Sequence, residues 1–308
     1  MVDFRYHLVS IIAVFLALAV GIVVGTTALN GPALDGLKGS ISSLTTDKRT
    51  LESNVKDLRR TVADDGSFAD LVAPVLLRNQ LAQERVLVVS TSDASGALRD
   101  QLLATLKLAG ATVSGQLRLR PDLTDPAKAV TVGAVVTGAA PSQLALPQGE
   151  AVVRAAAELA AVLVRGPGQT AGGAAATEKV LSAFTGADLL DVEGGSAIDS
   201  TATLVLMITG PTPDTPTGDQ PGQLAIIDAF DARSGVVVTG PTGCAEPDGL
   251  MRSLRSGTRA GQITTVDDVD RGPGRVAAVL ALHEQSRGGS GRYGTGRGAQ
   301  ASAPSLAP

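Results

Sequence analysis

Soft-metal chemistry in this chain would have few side chains to draw on. Soft metal ions are held by thiolate and thioether, and imidazole suits several of them. Beyond the initiator methionine the sequence offers only Cys244, Met207, Met251, His7 and His283, with no Cys-x-x-Cys or Met-x-x-Met pair. Met207 falls in a run expected to be a buried strand, which leaves Cys244 and Met251, on one late loop–helix unit, as weak candidate metal ligands. The acidic run Asp267, Asp268 and Asp270 could chelate a hard cation through carboxylates, although such a run is more often a solvated loop. Two turns, Ser90–Gly96 and Gly240–Gly243, could cradle a phosphate with backbone N–H groups at a helix start. Neither has the Gly-Lys-Ser/Thr of a P-loop or the dinucleotide fingerprint. A nucleophile–base set could be assembled only around His283, beside Glu284, and that pair suits a solvated helix end. No catalytic residue and no cofactor site is assigned, and the chain is expected not to be an enzyme.

An α/β domain at 67–286 has to position these residues. A helix is expected at Phe68–Gln83. Val86–Val89 is a short β-branched run, followed by a helix through Leu98, Leu102, Leu103, Leu106 and Leu108 and by an extended run, Thr112–Leu119. Strand, helix, strand implies a mostly parallel, doubly wound sheet with helices on its faces. Glu150–Val164 reads as an alanine-rich helix ended by Gly166-Pro167-Gly168, residues 166–176 as a Gly/Ala loop, and Glu178–Phe184 as a short helix. Leu204–Ile208 reads as a buried strand, and the proline-punctuated 211–221 as a surface excursion. Val236–Val238 with the helix around Leu250–Leu254, then Ile263–Val266 with the helix Arg275–Leu282, complete the domain. From Ser286 onward the chain is mostly Gly, Ser, Arg and Pro, so 287–308 is expected to be a disordered tail.

Two helical segments precede the domain. Leu8–Leu29 carries no charge and is long enough to cross a hydrocarbon core of roughly 30 Å at about 1.5 Å per residue. That makes residues 1–33 a transmembrane anchor. A cleavable signal peptide fits less well, because the apolar run exceeds the usual h-region of about 7–15 residues. Ala13, Ala17, Gly21 and Gly25 form a small-residue stripe that lets two such helices approach in lipid. Residues 34–66 follow as a coiled coil. Leu34, Leu37, Ile41, Leu44, Lys48, Leu51, Val55, Leu58 and Val62 alternate spacings of three and four, with Leu at d and β-branched residues at most a positions. This pattern favours a parallel two-stranded coil; the alternative is an amphipathic helix lying on the chain's own domain. Lys48 is the polar a residue, within reach of a partner's Asp47 or Glu52. Asp64-Asp65-Gly66 is expected to break the heptads. The expected partners are a second copy of the chain and membrane lipid.

Composition narrows the function classes. With five Phe, two Tyr and no Trp, the chain lacks the aromatic girdles of a transmembrane barrel. A net charge of −4 without a basic cluster argues against nucleic acid. Lys38, Lys48 and Arg49 outnumber Arg5 and the α-amine across the span, a one-charge lean towards a cytoplasmic domain. The single cysteine gives no sign of an oxidising compartment, and no residue distinguishes an inner from an outer membrane.

The segments DFRYHLVSI (3–11) and GIVVGTTALNGPALDGL (21–37), with TTVDDVD (264–270) and GRYGTG (291–296) near the other end, carry a resemblance. They resemble the actinobacterial copper transporter family, the MctB-like proteins. The resemblance implies an envelope protein with a role in copper efflux and copper homeostasis, described in that family as pore-forming in the outer membrane, with copper implied by the resemblance alone. Within the same family it also implies an alternative, a dimeric membrane scaffold acting with a second membrane protein in septal cell separation.

Overall fold

A computed structural model of the chain describes residues 4–166, 173–194, 198, 202–213, 219–256 and 259–305, with the side chains of Phe4 and residues 27–35 left out of the description. Met1–Ala63 and Asp64–Pro308 form two compact units. The first helix, α1 (Phe4–Leu76), begins in one and ends in the other. The expected break at Asp64-Asp65-Gly66 does not occur. A glycine inside a helix costs only about 1 kcal/mol relative to alanine, and the turns that follow are held by tertiary packing of Ala69 and Ala73. The helix expected to reach Gln83 stops instead at Leu76, where Asn79 and Gln83 adopt positive φ of 58° and 74° and fold the chain back. Leu77 and Leu81 in that turn are fully buried.

In the first unit, Arg5–Thr26 has a mean hydropathy of 2.9. Thr26 Oγ1 donates to the carbonyls of Ile22 and Val23 at 2.9 and 3.1 Å, so the hydroxyl is satisfied within the apolar segment. Leu37, Ile41, Leu44, Leu51, Val55, Leu58 and Val62 are 41–68% exposed.

The second unit is built on one seven-stranded sheet: β1 (Arg85–Ser90), β2 (Thr112–Leu119), β3 (Leu190–Glu193), β4 (Leu204–Ile208), β5 (Gly235–Thr239), β6 (Thr264–Val266) and β7 (Arg292–Tyr293). Their order is β3-β2-β1-β4-β5-β6-β7. Every neighbouring pair is parallel except β2 with β3. β4 is buried at every residue, the mark of a central strand covered on both faces. The edges are blunt: β3 carries Asp191 and Glu193, and β7 has two residues.

Alternate side chains feed two cores. Leu87, Val89, Leu117, Val205 and Met207 face α4 (Ala129–Ala139), α5 (Ala151–Leu163), α6 (Ala174–Gly186), α7 (Gln220–Asp231) and α8 (Leu250–Leu254). Val86, Val88, Leu204 and Leu206 face Leu77, Leu81, α2 (Gly96–Leu108) and α9 (Gly272–Ser286). A short α3 (Pro121–Thr124) and a 3-10 turn (Pro126–Lys128) lead into α4.

The connections β1–α2–β2 and β4–α7–β5 step in opposite directions on opposite faces and so share one hand. β6–α9–β7 steps in the same direction as β4–α7–β5 but crosses the other face. It therefore has the opposite hand, and about 98% of such crossovers are right-handed. The segment carrying β7 is not the disordered tail that its composition predicts. Its residues to 305 are folded, with Tyr293 4% exposed and Ala303 packed on the second core.

Candidate functional site

β1 and β4 lie side by side with Ser90 opposite Ile208, and the chain leaves this pair in opposite directions along the sheet. The crevice beyond the carboxyl ends of such strands is where open α/β sheets bind ligands. A cavity of about 270 Å³ lies there. The loops after four parallel strands build it: Ser92 and Asp93 after β1, Pro121 after β2, Thr209–Pro213 after β4, and Cys244, Asp248 and Leu250 after β5. Asp219, Gln220 and Gln223 at the start of α7 close one side. Small residues allow the approach. A Cβ on Gly210 would strike the Asp93 carboxylate, and one on Gly240 would lie 2.6 Å from Cys244 Sγ and 2.8 Å from Thr209 Oγ1.

Of the two turns marked as phosphate cradles, the second is answered from within the protein. In the first, Thr91 Oγ1 donates to Asp93 Oδ1. In the second, Thr242 donates through its backbone N–H (2.7 Å) and its hydroxyl (2.9 Å) to Asp270 Oδ1, so the anion at this turn is the protein's own carboxylate.

The acidic run is not the solvated loop expected of it, and its carboxylates do not converge as a chelate. Asp267 is 1% exposed. It accepts from Arg255 Nη1 at 2.5 Å and from the backbone N–H groups of Thr295 and Gly296 at 2.7 and 2.9 Å. Arg255, itself buried, also donates to Thr265 Oγ1 (3.0 Å), Tyr293 O (2.6 Å) and Arg297 O (3.2 Å). Asp268 has φ 60° and a buried Oδ1 with no hydrogen-bond partner. Burial, then the neighbouring Asp267, pushes its pKa up to about 6. The segments TTVDDVD and GRYGTG are thus two halves of one device, the second wrapping its backbone around a carboxylate of the first. Gly294 and Gly296 are required there, because a Cβ on either would run into Asp267.

The soft donors are built into packing. Met207, Met251 and Cys244 are 1%, 1% and 3% exposed and belong to one apolar core. Burial, then the charges of Asp267 and others, pushes the Cys244 thiol up to about 12, so it stays protonated. His283 Nδ1 lies 2.7 Å from Gln80 O, and Glu284 Oε2 accepts from Tyr293 Oη at 2.6 Å, so this pair is not a solvated helix end. Among the described residues no group of three or more His, Cys, Asp or Glu is placed to hold a metal ion. Sequence reasoning also missed Glu158, buried in α5 with both carboxylate oxygens unpartnered. Burial raises its pKa to about 7 against the opposing pull of Lys179 and Arg154. An isolated Glu in an alanine-rich stretch gives no sign of such a position.

On α1, Ala13, Ala17, Gly21 and Gly25 line the apolar span, and a Cβ on Gly21 or Gly25 would meet nothing within 4 Å. Lys48 reaches its own Glu52 at 3.6 Å, in solvent.

A parallel α/β sheet with a switch-point crevice, in a chain that starts with a long apolar helix, defines a membrane-associated α/β protein. The chain matches the family model described as "Copper transport outer membrane protein, MctB" over residues 1–304, and it belongs to that family. It is 29% identical over 311 residues to "Copper transporter MctB" of Mycobacterium tuberculosis (strain CDC 1551 / Oshkosh), covering 97% of this chain and 98% of that protein. To the protein of the same name from Mycobacterium leprae (strain TN) it is 30% identical over 313 residues, again covering 97% and 98%.

Proposed function

We propose that the chain serves copper efflux and copper homeostasis in the cell envelope as a membrane-anchored parallel homodimer. In this reading α1 supplies a single-pass anchor and, over 34–66, a coiled coil. The observation that carries it is the exposed heptad stripe. Fully burying a Leu, Ile or Val side chain stabilises by about 1.5–3 kcal/mol, and seven such side chains stand in solvent. A second copy suits them because Leu at d opposite β-branched a residues packs as a dimer, and because Lys48 of one helix would meet Asp47 or Glu52 of the other. Carried past Val62, the next a position is Ala69, which is buried within its own unit, so the seam ends where the proposed coil ends.

Changing Leu44 and Leu51 together to Asp puts charge into the seam. The expected result is loss of cross-linking through a cysteine placed near residue 40, together with loss of copper tolerance in cells. Unaffected cross-linking would remove the coil as interface. Lost cross-linking with full copper tolerance would separate dimerisation from the copper role.

A second reading is favoured by the neutral, buried Cys244. Here the dimer is a non-catalytic scaffold that acts with a second membrane protein in septal cell separation, and any copper phenotype is indirect. This reading expects no tight copper(I) site when the full-length protein competes with a copper(I) chelator, since Cys244, Met251 and Met207 would have to leave the core to bind. A stoichiometric site that vanishes in Cys244→Ser would reject it in favour of direct copper handling.

A further inference from the structure

The last turns of α1 belong to the second unit and carry two unlike faces. On one face Ala69 and Ala73 are buried. The start of α9 packs there so closely that a Cβ on Gly272 would strike Ala69, and Arg275 of the same helix reaches Asp70 at 3.3 Å. The opposite face holds Phe68, Leu71 and Val75, which are 66%, 75% and 71% exposed. Spacings of three and four put them on one stripe. Among the described residues of this unit, the other exposed large apolar side chains are Leu108, Val130 and Val192, on three separate elements. The stripe is the place where such side chains gather.

Its size limits what can cover it. At roughly 60–120 Å² of apolar surface per side chain, the stripe offers about 200–350 Å². Even doubled for both sides of a contact, this falls short of the about 1,200 Å² that a stable specific interface buries. A free partner would not stay on it, so the stripe has to extend a larger interface. In the parallel-dimer reading, on which this inference rests, the heptads are that interface. Counted on from Val62, Phe68 and Val75 fall at g, Ala69 at a and Ala73 at e. In a parallel two-stranded coil, g of one helix faces e of the next heptad on the other. Phe68 of one copy therefore faces Ala73 of the second, and the e side is the side that the second copy's own α/β unit covers.

We infer that Phe68, Leu71 and Val75 of each copy pack on the α/β unit of the other, beside the start of its α9. The end of each α1 is then held between its own unit and its partner's, and two-fold symmetry makes the contact twice. The coil acts as the tether, raising the effective concentration of the two units so that a patch too small to bind in free solution is occupied.

The test is the rate of maleimide labelling at Leu71→Cys in the full-length protein in detergent micelles. Mass spectrometry of the labelled peptide keeps it apart from the buried Cys244. Position 71 faces solvent within its own chain, so the substitution leaves the packing of the unit intact. The same rate is measured with Leu44→Asp and Leu51→Asp added, and separately with Phe68→Glu and Val75→Glu added. Detergent coats the stripe whether or not the coil is whole, so it does not create a difference between the first two chains. Cross-linking through Ser40→Cys, in parallel chains, reports the coil. With the coil intact, labelling is expected to be at least about tenfold slower than in the Leu44→Asp/Leu51→Asp chain. It should become fast again in the Phe68→Glu/Val75→Glu chain while Ser40→Cys cross-linking is kept. Cross-linking with equal labelling rates would overturn the inference and leave the dimer standing. Slow labelling that persists in either charged variant would overturn it as well, because the cover would then owe nothing to the stripe or to the second copy. Absence of cross-linking in the chain with an unaltered seam would remove the dimer, and this contact with it.

Discussion

At the scale of single residues, the structure spends its charges on holding backbone. Arg255 and Asp267 are buried together, and most of their remaining hydrogen bonds go to the segment that carries β7. Removing one partner of a buried pair leaves a charge without compensation, typically at about 3–5 kcal/mol. Arg255→Met is expected to lower stability by that amount, read from urea unfolding of the full-length protein. Glu158 works in the opposite sense. Its folded pKa, about 7, lies above the unfolded value of 4.5, so the folded state holds the proton more tightly and stability falls as pH rises between the two. Glu158→Gln should therefore leave stability at pH 4 nearly unchanged, raise it by roughly 2–3 kcal/mol at pH 8, and flatten the profile between. A profile that keeps its slope would show that Glu158 is not the group responsible. Little of this is legible in the sequence. The acidic run and the glycine-rich segment are both visible, but their pairing joins residues across a sheet edge, and spacing along the chain carries no record of it. The crevice escapes for the same reason. Asp93, Thr209 and Asp248 belong to three different loops, and only the strand order brings them together.

At the scale of elements, legibility follows burial. Leu204–Ile208 coincides with the observed strand because an unbroken apolar run leaves one solution. Thr112–Leu119 and Leu250–Leu254 coincide because glycine-containing turns bound short segments that keep some apolar residues facing the core. α3, α4, β3 and β7 do not announce themselves: α3 and the strands are short, and α4 is an Ala/Val/Gly stretch of low contrast. The heptad segment is the reverse case, sharp in sequence but without a partner in the single chain. Within a dimer, Lys48 at an a position would cost stability while fixing register. Lys48→Leu is then expected to raise the thermal midpoint of the dimer and loosen its oligomer specificity, measured by melting and by sedimentation. An unchanged midpoint would place Lys48 outside the seam.

For the molecule as a whole, the family assignment and the chemistry of the α/β unit pull in different directions, since the family's name is a transporter's and the unit's soft donors are committed to packing. The crossover β6–α9–β7 adds a constraint on how such a molecule comes into being. Its uncommon hand makes the local chain a weak guide to where β7 belongs, and the Arg255–Asp267 pair fixes the strand only once residues up to Arg297 exist. These residues are made after α1. At about 5–20 residues per second, the apolar span and heptad stripe leave the ribosome some tens of seconds before the sheet can close. In the proposed dimer the anchor would thus reach the bilayer, and two stripes would meet, while both α/β units are still incomplete. Partner choice would then be made between nascent chains, among copies translated from the same message. A chain ending at Ser290 should still pair through its coil yet never bury Arg255, and co-purification of that truncated chain with full-length protein, together with rapid proteolysis of its second unit alone, is the expected signature.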